Sequence, residues 1–382
     1  MPDAPPDWTV KAEALARDVL ARHAADVDRK ARWPNEGVDA LRAGGFLGLT
    51  VPATHGGAGA GPRAFAAVLA KLAEGCASTA MIYLMHACGT QVVAAAAGFA
   101  RRDGVLRDIA AGKHLSTLAF SEQGSRSHFW APISRAAADG AGYRLTADKS
   151  WVTSAGHADG YVVSTGAVGA DAPTASTLYF VPAGAAGLAV AGPWEGLGLR
   201  GNASAPVRLE NVAVPAADRL STEGGGFDVM LNVVLPWFQL GSAAVAVGIC
   251  RAAVAGVRGH LLGAKFEHAG QTLADLPNLR AELARMQITT DAQAAFLHRV
   301  GWQMEHPGPD TMLAVLGVKA AATEAALEVT DRAMRACGGT AFSGRLGVER
   351  NFRDARAGSV MAPTTEVLYD FVGKAVLGMP LF

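Results

Sequence analysis

From residue 9 to about 112 the apolar positions recur at helical spacing: Leu15, Val19 and Leu20, then Val38 and Leu41 ahead of a Gly44-Gly45 stop with Phe46 beyond it. Two Ala-rich stretches, Pro62 to Gly75 and Ser78 to Phe99, extend the pattern and favour close helix packing, and Thr54 to Gly59 between the helical runs reads as a loop. Between Lys113 and Ser221 the period shortens. Leu115 to Phe120, Tyr143 to Thr146, Tyr161 to Thr165, Thr177 to Val181 and Val207 to Leu209 are β-prone runs, and Asp139-Gly140 is a hairpin-type turn. A small antiparallel barrel or sandwich is expected there. From Gly226 onward the helical period returns. Leu316, Ala320, Thr323, Leu327, Thr330 and Met334 alternate steps of four and three, as in a bundle helix, until Gly338-Gly339 breaks the run.

The pattern predicts an α+β chain in three blocks: an N-terminal helical domain over 1–112, a middle β domain over 113–222 and a C-terminal four-helix bundle over 223–382. No 20-to-50-residue repeat and no low-complexity tract interrupts it. The 382 residues suffice for two or three subdomains around a large shared core, and 50% hydrophobic with 18% charged residues fits a well-buried, oligomeric enzyme.

Charge narrows the partners. Lys plus Arg and Asp plus Glu balance at 34 each with no basic run, which argues against nucleic acid and anionic membrane. Cys76, Cys88, Cys250 and Cys337 are scattered without metal-ligand spacing, so reduced thiols and no metal are expected. Met1 to Asp7 carries Asp3 and three prolines where a secretory signal needs a basic start and an apolar stretch, which predicts a cytoplasmic protein. The very apolar Val229 to Val257 includes Asn232, Pro236, Gln239, Ser242 and Arg251, and so reads as a buried bundle helix and not a membrane span.

Two segments carry candidate chemistry. Ala119-Phe120-Ser121-Glu122-Gln123-Gly124-Ser125-Arg126-Ser127-His128 resembles, without a gap, the A-x-T-E-P-G-A-G-S-D flavin loop of the acyl-CoA dehydrogenase family. About twenty residues later, Lys149-Ser150-Trp151-Val152-Thr153-Ser154-Ala155 resembles that family's K-x-W-I-T-N/S. Further on, Leu197-Gly198-Leu199-Arg200-Gly201 with Val212-Ala213-Val214-Pro215 is similar to its G-M-R-G…V-x-V-P stretch. Arg335-Ala336-Cys337-Gly338-Gly339 stands where it has Q-x-x-G-G, and Glu349-Arg350 with Arg353-Asp354-Ala355-Arg356 matches E-R-x-x-R-D-A-R. The last group reads as a structural salt-bridge cluster.

The resemblance implies one FAD per subunit in a homodimer or homotetramer. Ser121 and the backbone of Phe120 and Ser121 would serve the pyrimidine end of the ring, Thr153 its N5 side, and Trp151 one face. Gly338 and Gly339 would approach the diphosphate across a subunit interface, and Ser127, Val152, Arg335, Thr364 and Glu366 are further cofactor-binding positions. The family's R-x-F-G is here only Ala264-Lys265-Phe266-Glu267. An electron-transfer flavoprotein or a flavin reductase would be the redox partner.

The family's general base is a glutamate, in most members ahead of Gly-Thr in a Y-E-G-T-x-E-I loop. The matching stretch here is Val360-Met361-Ala362-Pro363-Thr364-Thr365-Glu366-Val367, so the base position is Ala362. A minority place the base on the first bundle helix, and counting back from Gly248 gives Phe238 there, beside Gln239. Trp237, Phe238, Gln239, Met361 and Ala362 are the expected substrate pocket. His128 is the substitute candidate for proton transfer, because an imidazole titrates near neutrality. The expected function is an FAD-dependent oxidoreductase acting on an acyl thioester, carried by CoA or a carrier protein, without the usual base. A flavin monooxygenase or oxidase on the same fold is the alternative, and a non-catalytic flavin-binding subunit a third.

Overall fold

The structure, a computed structural model of the chain, describes residues 6–126 and 128–381. The first block is helical: α1 (Pro6–Leu15), a π turn (Ala16–Leu20), α2 (Ala21–Lys30), α3 (Asn35–Ala43), α4 (Pro62–Gly75), α5 (Ala77–Ala95) and α6 (Arg102–Ala110). Helix α4 opens on Pro62, whose fixed φ and missing N–H suit a first helical turn. Helix α5 stops at Ala95, short of the expected Phe99, and Phe99 is buried in the loop that follows.

The strands form two sheets. β1 (Ser116–Ala119), β4 (Gly160–Gly166) and β5 (Ser176–Pro182) form one, in the order β1-β4-β5. β2 (Ala136–Asp139), β3 (Gly142–Val152), β7 (Ala205–Pro215) and β6 (Leu188–Val190) form the other, in the order β2-β3-β7-β6. The expected hairpin at Asp139-Gly140 joins β2 to β3. All pairs are antiparallel except β1 with β4, which run parallel. Strands β2 and β6 escaped the sequence reading because they are short and mostly exposed, with no clean alternation.

Alternation along β4 and β5 explains the packing. Val162, Leu178 and Phe180 join the core shared with the helices, whereas Tyr161, Val163, Tyr179 and Val181 fill the layer between the sheets. The three-stranded sheet is thus covered on both faces, and its strands read as continuous apolar runs.

The C-terminal block holds α7 (Gly226–Val229), a π turn (Met230–Val234), α8 (Leu235–Gly263), a two-stranded ribbon of β8 (Lys265–Phe266) and β9 (Gln271–Thr272), α9 (Pro277–Glu305), α10 (Thr311–Phe342), α11 (Val348–Val360) and α12 (Thr365–Val376). α10 packs against α8, α9, α11 and α12, and α8 also packs against α4. α8 comes close to α4 at Gly248, where a Cβ would sit 2.4 Å from the Ala70 carbonyl oxygen. The apolar stretch read as a bundle helix is one: 78% of its most apolar window is buried.

Candidate functional site

The two motifs of the β domain are bolted together by a buried ion pair. The Lys149 ammonium on β3 lies 2.5 Å from a Glu122 carboxylate oxygen, and both side chains are buried. Lys149 also donates to the Ser164 carbonyl on β4 at 2.5 Å and to the Phe120 carbonyl at 3.4 Å. The second Glu122 oxygen accepts the N–H groups of Ile133 and Ser134 at 2.7 and 2.8 Å, and the Ser134 hydroxyl donates to the first. Burial alone would raise the Glu122 pKa, but the Lys149 charge and the Ser134 hydrogen bonds outweigh it and hold the carboxyl below its ordinary value. Phe120 to Glu122 and Ile133 to Ser134 are therefore fixed against β3 and β4.

That fixing orients the residues that follow Lys149. The Ser150 N–H donates to the Ser121 carbonyl at 2.9 Å. The β3–β7 register shifts between Lys149 and Val152, and Trp151 takes φ 56°. This irregularity turns the indole out of the sheet, where it stands 66% exposed and edge-on to Trp194 at 5.9 Å. Val152 turns the other way, into the layer between the sheets, so only its backbone can face a ligand. Thr153 is buried: its hydroxyl is 2.9 Å from the Ser204 hydroxyl, and its carbonyl accepts from Thr117 at 2.6 Å. His128 is exposed on the loop, with its ring stacked on Trp130 at 5.1 Å. Ser127 lies outside the described residues.

A second cluster forms where α8, α10 and the loop between α11 and α12 meet. Lys319 on α10 is fully buried, and its ammonium donates to the carbonyls of Met361 at 2.8 Å and Pro363 at 2.6 Å, bracketing Ala362. The same ammonium lies over the Phe238 ring, 5.8 Å from its centroid. Burial pulls the Lys319 pKa down to about 7. Among the described residues no carboxylate forms an ion pair with it. Trp237 packs on Phe65 at 5.3 Å, and Gln239 is fully buried with neither amide atom hydrogen-bonded. The structure thus brings Phe238, Met361 and Ala362 together around a residue that sequence reasoning missed. The signal was available: Lys319 lies three residues after Leu316 and four before Thr323, on the core face of α10.

The remaining candidates sit at helix ends. α10 breaks at Gly338, with φ 52° and ψ −137°, a conformation only glycine adopts readily. A Cβ at Gly338 or Gly339 would meet nothing within 4 Å, so this backbone is open to approach. Arg335 points into solvent, paired with Asp331 at 2.8 Å. Thr364 is the residue before α12, without a side-chain capping bond, and Glu366 is exposed in that helix's first turn.

The expected salt-bridge cluster on α11 needs correcting. Arg353 pairs with Asp28 at 2.5 Å and with Glu349 at 3.5 Å, but Arg356 lies over the Phe352 ring. Asp354 instead accepts the Leu199 N–H at 2.6 Å, and burial pushes its carboxyl up to about 6. This short acidic side chain points inward, where a backbone donor is the nearest partner.

Three family models match in chain order: the acyl-CoA dehydrogenase N-terminal domain over residues 9–113, its middle domain over 117–212 and its C-terminal domain over 224–377. The chain belongs to the acyl-CoA dehydrogenase family. It is 26% identical to the probable acyl-CoA dehydrogenase YngJ of Bacillus subtilis, over 95% of each chain. It is 27% identical to cyclohex-1-ene-1-carbonyl-CoA dehydrogenase of Geobacter metallireducens, covering 95% of this chain and 96% of the relative. Its fold matches butyryl-CoA dehydrogenase from Megasphaera elsdenii with a TM-score of 0.92 at 22% identity, over 97% of each chain. As a member of this family it is a flavin-dependent oxidoreductase that uses FAD.

Two observations of this chain fit that cofactor. A large aromatic side chain, Trp151, is held outward by an irregular backbone beside a tightly braced loop, offering a flat apolar wall. The bare Gly338-Gly339 backbone gives room for a diphosphate at close range. Bound FAD would supply two-electron redox capacity, and the chain would supply its placement.

Proposed function

We propose that Phe238, Met361 and Ala362 wall a cleft that takes an acyl thioester, and that its oxidation proceeds without a carboxylate base. The observation that carries this reading is the cluster around Lys319. Of the two positions where the family resemblance places a base, one is an alanine and the other an aromatic ring, and Lys319 engages both segments. Support for the thioester comes from relatives whose names specify acyl-CoA or carbonyl-CoA substrates. Trp151, Thr153 and the backbone of Phe120 and Ser121 hold the ring, and Gly338, Gly339 and Arg335 serve the diphosphate of a neighbouring subunit.

Proton transfer falls to His128 or to water in this reading, since an alanine and a phenylalanine carry no exchangeable proton. His128→Ala lowering the rate at least tenfold assigns the imidazole; an unchanged rate assigns water. A homodimer or homotetramer is supported by exposed apolar side chains at the ends of the bundle helices, among them Phe342, which is 88% exposed, and Leu377. The electron acceptor is an electron-transfer flavoprotein, with oxygen as the competing acceptor.

The test is anaerobic bleaching of bound FAD by butyryl-, octanoyl- and palmitoyl-CoA. A positioned base contributes about a hundred- to ten-thousand-fold, so bleaching should be slower by at least a hundredfold than in a carboxylate-bearing family member. Rapid bleaching by any of the three refutes base-free operation. Oxygen consumption coupled to turnover would move the protein to the oxidase reading.

A further inference from the structure

The loop between α11 and α12 is only four residues long, 361–364, and two of its carbonyls turn inward to the α10 ammonium. Lys319 is the hydrogen-bond donor found for both of them. A buried carbonyl without a donor is costly, so this ammonium replaces the missing backbone partners. The same Nζ lies over Phe238 of α8, so one atom joins α10, α8 and the 361–364 loop. The geometry does not suit a general base. Two N–H groups are committed to carbonyls, the side chain is wholly buried, and an aromatic ring covers the nitrogen.

We propose that Lys319 is a positioning residue: its ammonium holds the Met361 and Pro363 carbonyls and the Phe238 ring, fixing the 361–364 loop against α8 and so setting the shape of the substrate cleft. The link to substrate rests on the thioester reading above; the hold on the loop does not. Lys319 touches the loop backbone and acts on substrate only through it. Loss of the donors frees the loop while leaving the flavin loop, braced separately by Lys149 and Glu122, in place.

The test compares Lys319→Met, which keeps length without donors, with Lys319→Arg, which keeps donors, in the FAD-loaded protein. Amide exchange is read over 361–368, and octanoyl-CoA binding is read from the flavin spectrum. In Lys319→Met, exchange over 361–368 should rise at least tenfold while α9 amides stay within twofold. Octanoyl-CoA affinity should fall at least tenfold, and Lys319→Arg should restore both readouts to within threefold of the parent. Unchanged loop exchange in Lys319→Met overturns the proposal, and so does a uniform rise across the bundle. If the parent protein does not bind octanoyl-CoA, the thioester reading fails, yet the exchange arm still decides the hold on the loop. Should neither variant fold, the parent is followed along a urea series. Acylation of the Lys319 amine and exchange over 364–368 must then rise together, and separate courses overturn the proposal.

Discussion

Removing either member of the Glu122–Lys149 pair should release the flavin loop before it unfolds anything else. The two charges are buried at 2.5 Å, and the carboxylate is held by three further donors from Ile133 and Ser134. Lys149→Met leaves the carboxylate without its cation, and Glu122→Gln leaves the ammonium with neutral oxygens alone, among them the Ser164 carbonyl and hydroxyl and the Phe120 carbonyl. Breaking a buried pair in this way costs about 3–5 kcal/mol. At about 1.4 kcal/mol per decade that is roughly two to four decades in the equilibrium between braced and released loop. Trp151 lies two residues after Lys149 on β3 and Thr153 just beyond the strand's end, so the loss should appear as weaker FAD binding. The double variant Glu122→Gln/Lys149→Met removes both charges together and should fall short of the summed single effects by about 0.5–3 kcal/mol. The assay is the FAD dissociation constant by flavin fluorescence for the four proteins at one pH and salt. Single variants that bind FAD within threefold of the parent, or a strictly additive double, would refute the brace.

Trp151→Ala combined with Thr153→Ala should weaken FAD at least tenfold in the same fluorescence titration, because it removes the exposed indole wall and the hydroxyl held at Ser204. Phe342→Glu with Leu377→Asp should lower the particle mass in light scattering if these exposed apolar side chains pack between subunits. His86 is buried, accepts the Ser116 N–H on Nδ1 at 3.0 Å, and so carries its proton on Nε2, 3.0 Å from the Leu47 carbonyl. Burial lowers its pKa to about 4. Protonation is then resisted in the folded state, so this contribution is complete above pH 6.5 and is lost as pH falls toward 4, by on the order of 3 kcal/mol. His86→Gln should flatten the thermal midpoint across that window, and an unaltered pH profile would show that His86 does not control it.

The order of the blocks was legible because the change from period 3.6 to period 2 and back is a property of the chain alone. The motif pair in the β domain was legible for a similar reason: Lys149 and Trp151 lie on β3 and Thr153 comes one residue after its end, so residues contiguous in sequence stay local in space. Lys319 was not. It sits within an apolar helix, and its partners, the Met361 and Pro363 carbonyls, are backbone atoms that no residue type announces. Glu122 could be read as structural from its place in the loop, but its donors at Ile133 and Ser134 come from a return of the chain that carries no regular element. Asp354 was misassigned because an acidic residue among arginines reads as part of a salt-bridge cluster, whereas here the helix face turns it toward the Leu199 N–H.

The two buried lysines divide the site between them, and their surroundings set different penalties for losing them. Lys149 has a carboxylate partner, so deleting the amine strands a buried anion. Lys319 has only carbonyls and a ring, and burial has already brought its pKa to about 7, so near neutrality its charged and neutral forms differ little in free energy. Deleting that amine therefore loses hydrogen bonds to two carbonyls without exposing an unpaired charge, a cost of about 1–3 kcal/mol for each group left unsatisfied and less where water can enter. Lys149→Met should consequently disturb global stability more than Lys319→Met, although Lys319 lies nearer the cleft. Thermal unfolding of the two variants at pH 7 measures the order directly, and a larger loss for Lys319→Met would mean that its charge is paired in a way these contacts do not contain.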